Sequence, residues 1–470
     1  MTLRIIVFFV VSVSICTCTQ VRIEDQVLHD MTQVRIEDQV LHDVFGYAPQ
    51  ASIPLAADSQ FQASAVTPVT ENESTTEAQY YEWDYYNPPD INYDLFDWTL
   101  TKRVASSSDE NFLLSPLGLK LALAILTEAA TGVTKNELLI VLGFSSDQST
   151  VRQKFTSIID SLKKESPQYI LNVGSRVYVG SNVRPKQMFA AIAEEFYKTE
   201  LKTVDFHHPP EAAMQINAWV SNITKGKISH LVSEDDVANV AVMVLNALYF
   251  KGSWRHQFAP NETKYHQFYI TPTVTKDIPF MNVNNKFYYT ESAKLRAKIL
   301  RMPYLGNKFS MYIIVPNDLS GMPHVMSNTN VLRTEMNNLR EHYVDITLPK
   351  FKFDYTSQLG GILKELGIRD AFEDTASFPG IARGQYLSER IKISKVLQRS
   401  GIEVNELGSV AYAATEIALE NKFGEETESQ VEVVANRPFL FFIQDELTRQ
   451  LLVTGRVSDP TLLDGAFKLV

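Results

Sequence analysis

The chain has 470 residues, of which 44 are basic and 55 are acidic, and its formal net charge at pH 7 is -11. This acidic balance argues against a broad surface that follows a phosphate backbone, so we expect no nucleic-acid partner. The only cysteines are Cys16 and Cys18, which excludes a disulfide framework, a cysteine-based zinc site and a cysteine nucleophile in the rest of the chain.

The N-terminus has the layout of a secretory signal peptide. Arg4 precedes the apolar run 5–11, and small residues follow through Cys18. The apolar stretch covers about fifteen residues, whereas a helix needs roughly twenty to cross a bilayer. We therefore predict that residues 1–19 are a cleaved signal, that the protein is secreted into the extracellular space, and that it has no membrane partner. A retained N-terminal helix or anchor is the alternative.

Residues 20–94 are predicted to form a disordered N-terminal arm. Residues 19–30 recur unchanged as 32–43, and two copies are too few for a repeat array that buries its own faces. Residues 44–78 are rich in Ala, Ser, Thr, Pro, Gln and Glu and have no periodicity, so burial cannot offset the entropy of ordering them. A Tyr-rich acidic cluster follows at 80–86. It can pack on the folded body, dock on a basic surface or be a site of tyrosine sulfation.

The folded domain is predicted to begin near Leu95 and to extend to residue 470. Ser115 followed by Pro116 is typical of a helix start, with Ser as the N-cap and Pro at the first helical position. The helix predicted over 117–128 carries apolar side chains around its whole circumference, so we expect it to be buried. Strand patterns occur at 311–315, 344–348 and 439–443. These patterns predict a large mixed α+β domain, with a core big enough to be stable without disulfides.

The sequence lacks the common catalytic motifs. We find no G-x-S-x-G, no H-E-x-x-H, no Walker loop and no G-x-G-x-x-G. His207 and His208 are adjacent, and neighbouring side chains point in different directions, so we do not expect them to share a metal. We therefore predict that the protein is not an enzyme and uses no metal and no cofactor.

Several separate blocks between about residues 95 and 460 decide the family. They are 111–116 (NFLLSP), 216–220 (INAWV), 245–254 (LNALYFKGSW), 301–304 (RMPY), 348–351 (LPKF), 436–443 (NRPFLFFI) and 455–460 (GRVSDP). In this order they resemble the serpins, a family of serine protease inhibitors. The resemblance implies a fold with three β-sheets, about nine helices and an exposed reactive loop near the C-terminus.

The resemblance also implies roles for two groups of residues. Residues 404–409 resemble the hinge from which an inhibitory loop enters the large sheet as a new strand. The residues implied for this insertion are Glu406, Gly408, Ser409, Ala411, Ala413 and Thr415. Ser115, Asn217 and Gln398 are expected to form a hydrogen-bonded gate beneath the opening sheet. Gln398 stands where the family has a His, and Gly118 stands where a Ser is usual.

The loop has a sequence suited to a strand. Alternate residues of a strand face the core, so one set of side chains would point inward and the other outward. The inward set is Ser409, Ala411, Ala413, Thr415, Ile417 and Leu419, and the outward set is Val410, Tyr412, Ala414, Glu416, Ala418 and Glu420. The inward set is small or apolar, and no proline interrupts residues 409–419. We therefore predict a loop that can insert, with its outward carboxylates in water. Alternation by chance is the alternative.

Lys422 is the predicted bait residue. Family spacing places the cleaved bond sixteen residues after Glu406, at Lys422–Phe423. Lys422 is also the only basic residue between Arg399 and Arg437, and a trypsin-like pocket selects a long cation before the scissile bond. We predict a secreted suicide-substrate inhibitor of a trypsin-like serine protease. A non-inhibitory serpin that carries a ligand or acts as a chaperone is the alternative.

Three Asn residues lie in N-x-S/T sequons. They are Asn72, Asn222 and Asn261, and all three are predicted glycosylation sites in an exported chain. We expect a monomer whose partner is the protease.

Overall fold

A computed structural model of the protein describes residues 94–162, 168–181, 183, 185–238, 240–382, 391–409 and 431–468. These residues belong to one compact unit, Trp83–Val470. Within the described ranges, no helix is both long enough and apolar enough to cross a membrane.

Ten α-helices occur in the described part of the chain. They are α1 (Leu95–Ala105), α2 (Pro116–Ala129), α3 (Gly132–Leu142), α4 (Gln148–Leu162), α5 (Gln187–Tyr197), α6 (Pro209–Ile223), α7 (Glu234–Val237), α8 (Met322–Ser327), α9 (Thr329–Glu335) and α10 (Gly360–Leu366). Three short 3₁₀ turns lie at Pro260–Glu262, Met336–Asn338 and Asp370–Phe372.

Helix α2 starts where the sequence predicts. The hydroxyl oxygen of Ser115 accepts a hydrogen bond of 3.3 Å from the Gly118 N–H, and Pro116 is the first helical residue. Every residue of α2 except Glu128 is buried. The burial extends to a charge, because Lys120 forms an ion pair of 2.8 Å with Asp97 of α1, and both side chains are 0% exposed.

Sixteen β-strands accompany these helices. The first eight are β1 (Phe112–Leu114), β2 (Tyr169–Gly180), β3 (Glu200–Val204), β4 (Val242–Ser253), β5 (Lys264–Thr271), β6 (Val274–Ser292), β7 (Ala297–Pro303) and β8 (Phe309–Pro316). The others are β9 (Arg340–Pro349), β10 (Phe351–Gln358), β11 (Ile393–Asn405), β12 (Gly408–Ser409), β13 (Val431–Val434), β14 (Phe439–Asp445), β15 (Leu451–Val457) and β16 (Asp464–Lys468). All three strand predictions from the sequence are confirmed, in β8, β9 and β14.

The strands join into two hydrogen-bonded networks. One is a seven-stranded sheet in the order β16-β10-β11-β12-β4-β2-β3. The other has nine strands, in the order β1-β15-β14-β8-β7-β6-β9-β13 with β5 added on β6. The 19-residue strand β6 pairs with three strands in succession. Residues 274–280 pair with β5, residues 280–289 with β9, and residues 288–292 with β7. Dividing the nine-stranded network along β6 gives the three sheets that the resemblance implies.

Two hydrophobic layers cover the seven-stranded sheet. Helix α2 contacts β2 and β4 on one side and β15 of the nine-stranded network on the other, so it fills the space between the two networks. On the opposite face, Ile216 and Val220 of α6 share a second buried cluster with Leu245 of β4 and Leu397 of β11. Strands β4 and β11 are therefore covered by apolar side chains on both faces along their paired stretch.

Candidate functional site

The candidate site lies where β4 and β11 separate. Along most of their length these strands pair directly in parallel, from Ile393 opposite Val242 to Gly401 opposite Tyr249. Beyond that point the two-residue strand β12 lies between them. Ser409 is opposite both Val404 of β11 and Gly252 of β4, and it runs antiparallel to both.

Gly408 is required at the start of β12 for two reasons. Its φ of +154° is one that other residues rarely adopt, and a Cβ placed there would lie 2.0 Å from the Gly252 carbonyl oxygen. The backbone of β12 can therefore approach β4 only because residue 408 has no side chain.

Ser409 is fixed by a buried aromatic pair. Its hydroxyl lies 2.7 Å from the hydroxyl of Tyr304, whose ring stacks on Trp254 at 4.6 Å between centroids. The indole N–H of Trp254 donates to the Asn405 carbonyl at 3.0 Å. Burial raises the pKa of Tyr304 far above its usual value, so its hydroxyl stays neutral and can donate to Ser409.

Glu406 ties the turn before β12 to neighbouring strands. Its carboxylate lies 2.9 Å from the Lys350 ammonium and accepts a hydrogen bond of 2.8 Å from the Thr263 hydroxyl. Partial burial opposes ionisation of Glu406, but the hydrogen bonds from Lys350 and Thr263 outweigh burial, and the pKa of the carboxyl is lowered. The turn is thus held by a charged contact as well as by backbone bonds from Trp254 to Leu407 and from Phe258 to Glu406.

A buried amide cluster lies further along β4 and β11. Gln398 accepts a hydrogen bond of 2.7 Å from the Ser115 N–H, and its amide donates to the Ser115 carbonyl at 2.8 Å and to the Asn246 side-chain oxygen at 2.9 Å. Asn246 in turn donates to Ser175 at 3.1 Å. This cluster (Ser115, Ser175, Asn246 and Gln398) links the start of α2 to three strands of the sheet.

Glycine at position 118 is explained by the same cluster. A Cβ on Gly118 would lie 2.3 Å from the amide atoms of Asn246. The Asn246 side chain therefore occupies the space that a Ser at position 118 would need.

The structure brings two of the three expected gate residues together. Ser115 and Gln398 are hydrogen-bonded to each other, but Asn217, contrary to the expectation, lies elsewhere. The Asn217 amide oxygen accepts from the N–H groups of Leu231 and Val232, and its amide donates to the Val232 carbonyl. These bonds hold the segment after α6. Helix α6 covers the face of the sheet opposite α2, so Asn217 lies away from the cluster at the start of α2. Asn246 is the side chain that completes the cluster with Ser115 and Gln398. It belongs to the family block 245–254, and this position was the feature of the sequence that could have indicated its role.

The remaining predicted residues divide into two groups. Ala411, Ala413, Thr415, Lys422, Phe423 and Asn72 lie outside the described residues. Asn222 and Asn261 are exposed. Among the side chains that the structure describes, no cluster of His, Cys, Asp and Glu could hold a metal ion.

A model of the serpin family, whose description is serine protease inhibitor, matches residues 92–460. The chain belongs to the serpin family. It is 36% identical over 375 residues to Serine protease inhibitor 2 of Anopheles gambiae, an alignment that covers 78% of this chain and 91% of that protein. The α+β serpin fold expected from the sequence is therefore confirmed, and the family is one of protease inhibitors rather than enzymes.

Two solved structures illustrate the range of this serpin's relatives. Serpin48 of the insect Tenebrio molitor is 30% identical with a TM-score of 0.70, and the match covers 77% of this chain and 96% of that one. Human thyroxine-binding globulin is 27% identical with a TM-score of 0.72, covering 79% of this chain and 98% of that one. Overall similarity therefore extends to a relative named for binding thyroxine, so overall similarity alone does not separate protease inhibition from ligand binding.

Proposed function

We propose that the serpin is a secreted suicide-substrate inhibitor of a trypsin-like serine protease, cleaved at Lys422–Phe423. The observation that carries the proposal is the position of β12. Ser409 already lies between β4 and β11, antiparallel to both, at the end of a slot that the following residues would fill if these strands separated. A strand that has begun in this position can continue only by replacing the direct pairing of β4 with β11.

If the loop inserts in the registers of β12, each inserted residue would have defined neighbours on β4 and β11. Counting on from Ser409, Ala411 would lie between Ile402 and Phe250, and Thr415 would lie between Gln398 and Asn246. Ala413, between these two positions, would lie between Ser400 and Leu248. Ile417, the next inward residue after Thr415, would lie between Val396 and Val244. All eight flanking residues are buried, so the small or apolar inward set matches the slot.

The register also predicts how the amide cluster responds to insertion. Thr415 would separate Gln398 from Asn246, so the hydrogen bond of 2.9 Å between their side chains must break. The Thr415 hydroxyl can donate and accept, which allows it to replace the lost partner of either amide. Insertion past this level is therefore a discrete step with a barrier.

In the inserted state that we propose, Glu416 would not reach water, unlike the expectation from the sequence pattern. This residue would lie between Leu397 and Leu245, which are buried beneath α6. The neighbouring outward positions on β11 are Lys395 and Arg399, two residues to either side. These cations pair with Asp236 and Asp354 at 3.3 Å, and we propose that they also neutralise Glu416 in the inserted state.

In the proposed trapping reaction, cleavage of the loop comes first and insertion follows. The protease serine attacks the Lys422 carbonyl carbon, the Lys422–Phe423 bond breaks, and the Phe423 amine leaves with a proton. The freed loop end then inserts and carries the acylated protease with it. About ten new strand residues at roughly 0.5–1.5 kcal/mol net per hydrogen bond yield on the order of ten kcal/mol, which is enough to distort the bound enzyme and stall deacylation. The uncleaved fold is accordingly held by a kinetic barrier.

The bait and its surroundings set the target class. Lys422 is the only cation between Arg399 and Arg437, and Glu425, Glu426 and Glu428 follow it. We propose a target with trypsin-like specificity and basic residues near the sites that bind this acidic stretch. Export through residues 1–19, glycosylation at Asn72, Asn222 and Asn261, and a monomeric state complete the proposal.

Mixing the mature chain with trypsin tests the proposal. An inhibitor gives a complex that survives detergent and boiling, together with a marked rise in the melting temperature of the loop-cleaved serpin. A carrier is cleaved in the loop without forming a stable complex. Lys422→Ala removes the bait and should abolish the complex, while Lys286→Ala, at an exposed position of β6, is a control that keeps it. Complex formation by Lys422→Ala at the rate of the unmodified chain would reject Lys422.

A further inference from the structure

The chain continues past the matched family region, and its continuation is anchored at Asp459. The side-chain oxygen of Asn111 accepts from the N–H groups of Ser458 and Asp459 at 2.7 and 2.9 Å. Lys276 donates to the Asp459 carboxylate at 2.7 Å and to the Thr461 hydroxyl at 2.8 Å. Asn111 and Lys276 belong to or adjoin the nine-stranded network, so the residues that follow start from a fixed point.

From this point the tail, residues 462–468, crosses to the other network. The Asp354 N–H donates to the Leu463 carbonyl at 2.9 Å, and residues 464–468 pair in parallel with 354–358 of β10. The tail is therefore the outermost strand of the seven-stranded sheet. Without it, the outer edge of β10 would end the sheet there with its backbone groups unpaired.

An uncovered edge of this kind is a template for another strand. Because the Asp354 N–H points to the tail, alternation directs the N–H groups of Thr356 and Gln358 the same way, while those of Tyr355 and Ser357 point to β11. The N–H groups of Asp354, Thr356 and Gln358 can therefore pair with the carbonyl groups of an extended peptide.

The tail is a poor strand by composition. Its paired segment reads Asp-Gly-Ala-Phe-Lys, and Asp, Gly, Ala and Lys are all depleted in strands. Leu462 and Leu463, which lead into it, are 42% and 67% exposed, so they contribute little burial. The described contacts that hold the tail are its backbone bonds to β10 and its tether to Asp459, which gives it a high local concentration.

We propose that the outer edge of β10 is a strand-acceptor site that the chain's own tail fills, and that the same tail segment of a second copy can fill it when it is vacant. Weak intrinsic strand preference makes the tail displaceable, and the tether keeps the site occupied in the isolated molecule. The tail thus keeps a potential self-association edge covered. This inference does not depend on the bait residue or on protease trapping.

A chain that ends at Thr461 tests the proposal directly. A fluorescent peptide of residues 462–470 should bind this truncated chain saturably, while the full chain should bind it at least tenfold more weakly because its own tail competes. A scrambled peptide is the control for nonspecific binding. A cooperative thermal unfolding transition would show that the truncated chain is folded. A folded truncated chain that does not bind the peptide would overturn the proposal.

Two proline variants test the same contact without truncation. By the parallel register the Gly465 N–H points to β10 and the Ala466 N–H points away. Gly465→Pro should therefore raise amide exchange at Asp354 and Thr356 at least tenfold, with Tyr355 and Ser357 unchanged, whereas Ala466→Pro should have little effect. Equal exchange in the two variants would contradict the proposed edge contact.

Discussion

Replacing Ala411 with Arg should convert the inhibitor into a substrate, whereas replacing the adjacent Val410 with Arg should not. By the register proposed above, residue 411 enters the slot between Ile402 and Phe250, which are only 6% and 4% exposed. Residue 410 would instead lie on the other face between Glu403 and Lys251, both of which are partly exposed. A guanidinium at 410 would have water and the Glu403 carboxylate as partners.

The size of the effect follows from burial of charge. An unpaired guanidinium inside the slot costs several kcal/mol even after relaxation. A penalty of about 3 kcal/mol slows insertion roughly 100-fold, since about 1.36 kcal/mol corresponds to a factor of ten in rate. If insertion normally outpaces deacylation about tenfold, the Ala411→Arg variant is cleaved about ten times for each protease molecule that it traps.

The assay is the stoichiometry of inhibition. Residual trypsin activity is measured against the molar ratio of serpin to protease, and the products are separated on a denaturing gel. The unmodified chain and Val410→Arg should reach complete inhibition near equimolar ratio, while Ala411→Arg should need about tenfold excess and leave mainly cleaved serpin. Equal stoichiometry for the two Arg variants would refute the register and the buried slot together.

The remaining predictions concern the described contacts. Gln398→Leu should lower the free energy of unfolding by about 2–5 kcal/mol, because it leaves buried groups of Ser115 and Asn246 unpaired; chemical denaturation measures this, and a loss below about 1 kcal/mol would contradict the amide cluster. Tyr304→Phe removes the hydroxyl partner of Ser409 and should speed amide exchange at Ser409 about tenfold, the equivalent of ~1.4 kcal/mol; unchanged exchange would show that other contacts hold β12. Asp97→Asn leaves Lys120 without its buried counter-charge and should cost about 3–5 kcal/mol, while Asp97→Leu with Lys120→Met should recover most of it.

Local patterns predicted the elements that local chemistry determines. Ser115 caps α2 because a hydroxyl and a following proline suffice to start a helix, and β9 follows from alternation at 344–348. The amide cluster is different, since Gln398 and Asn246 are 152 residues apart and only the paired strands bring them together. Asn217 lies outside the cluster, bonded to Leu231 and Val232. A suitable side chain in a family block does not show which face of the sheet its helix covers.

Two further features, the pairing of Ser409 and the pairing of β16, could not be predicted from the sequence. Whether Ser409 is already paired depends on the balance between strand hydrogen bonds and loop entropy, and no residue pattern reports that balance. The β16 segment has strand-poor composition, so its pairing could not be predicted from its sequence; it depends on the position of Asp459 and on the free edge of β10. Both pairings depend on contacts between segments that are distant in the chain.

The contact between Ser409 and Tyr304 has a consequence for the accuracy of insertion. A strand that slips by one position presents all of its side chains to the wrong side, which here would move Tyr412 and Glu416 to the α2 side of the sheet and Ala411 and Ala413 to the α6 side. Ser409 is paired in the uncleaved molecule, so in the proposed mechanism the alignment of the strand is selected before a protease binds. Cleavage would then release a strand whose first residue already has its partners.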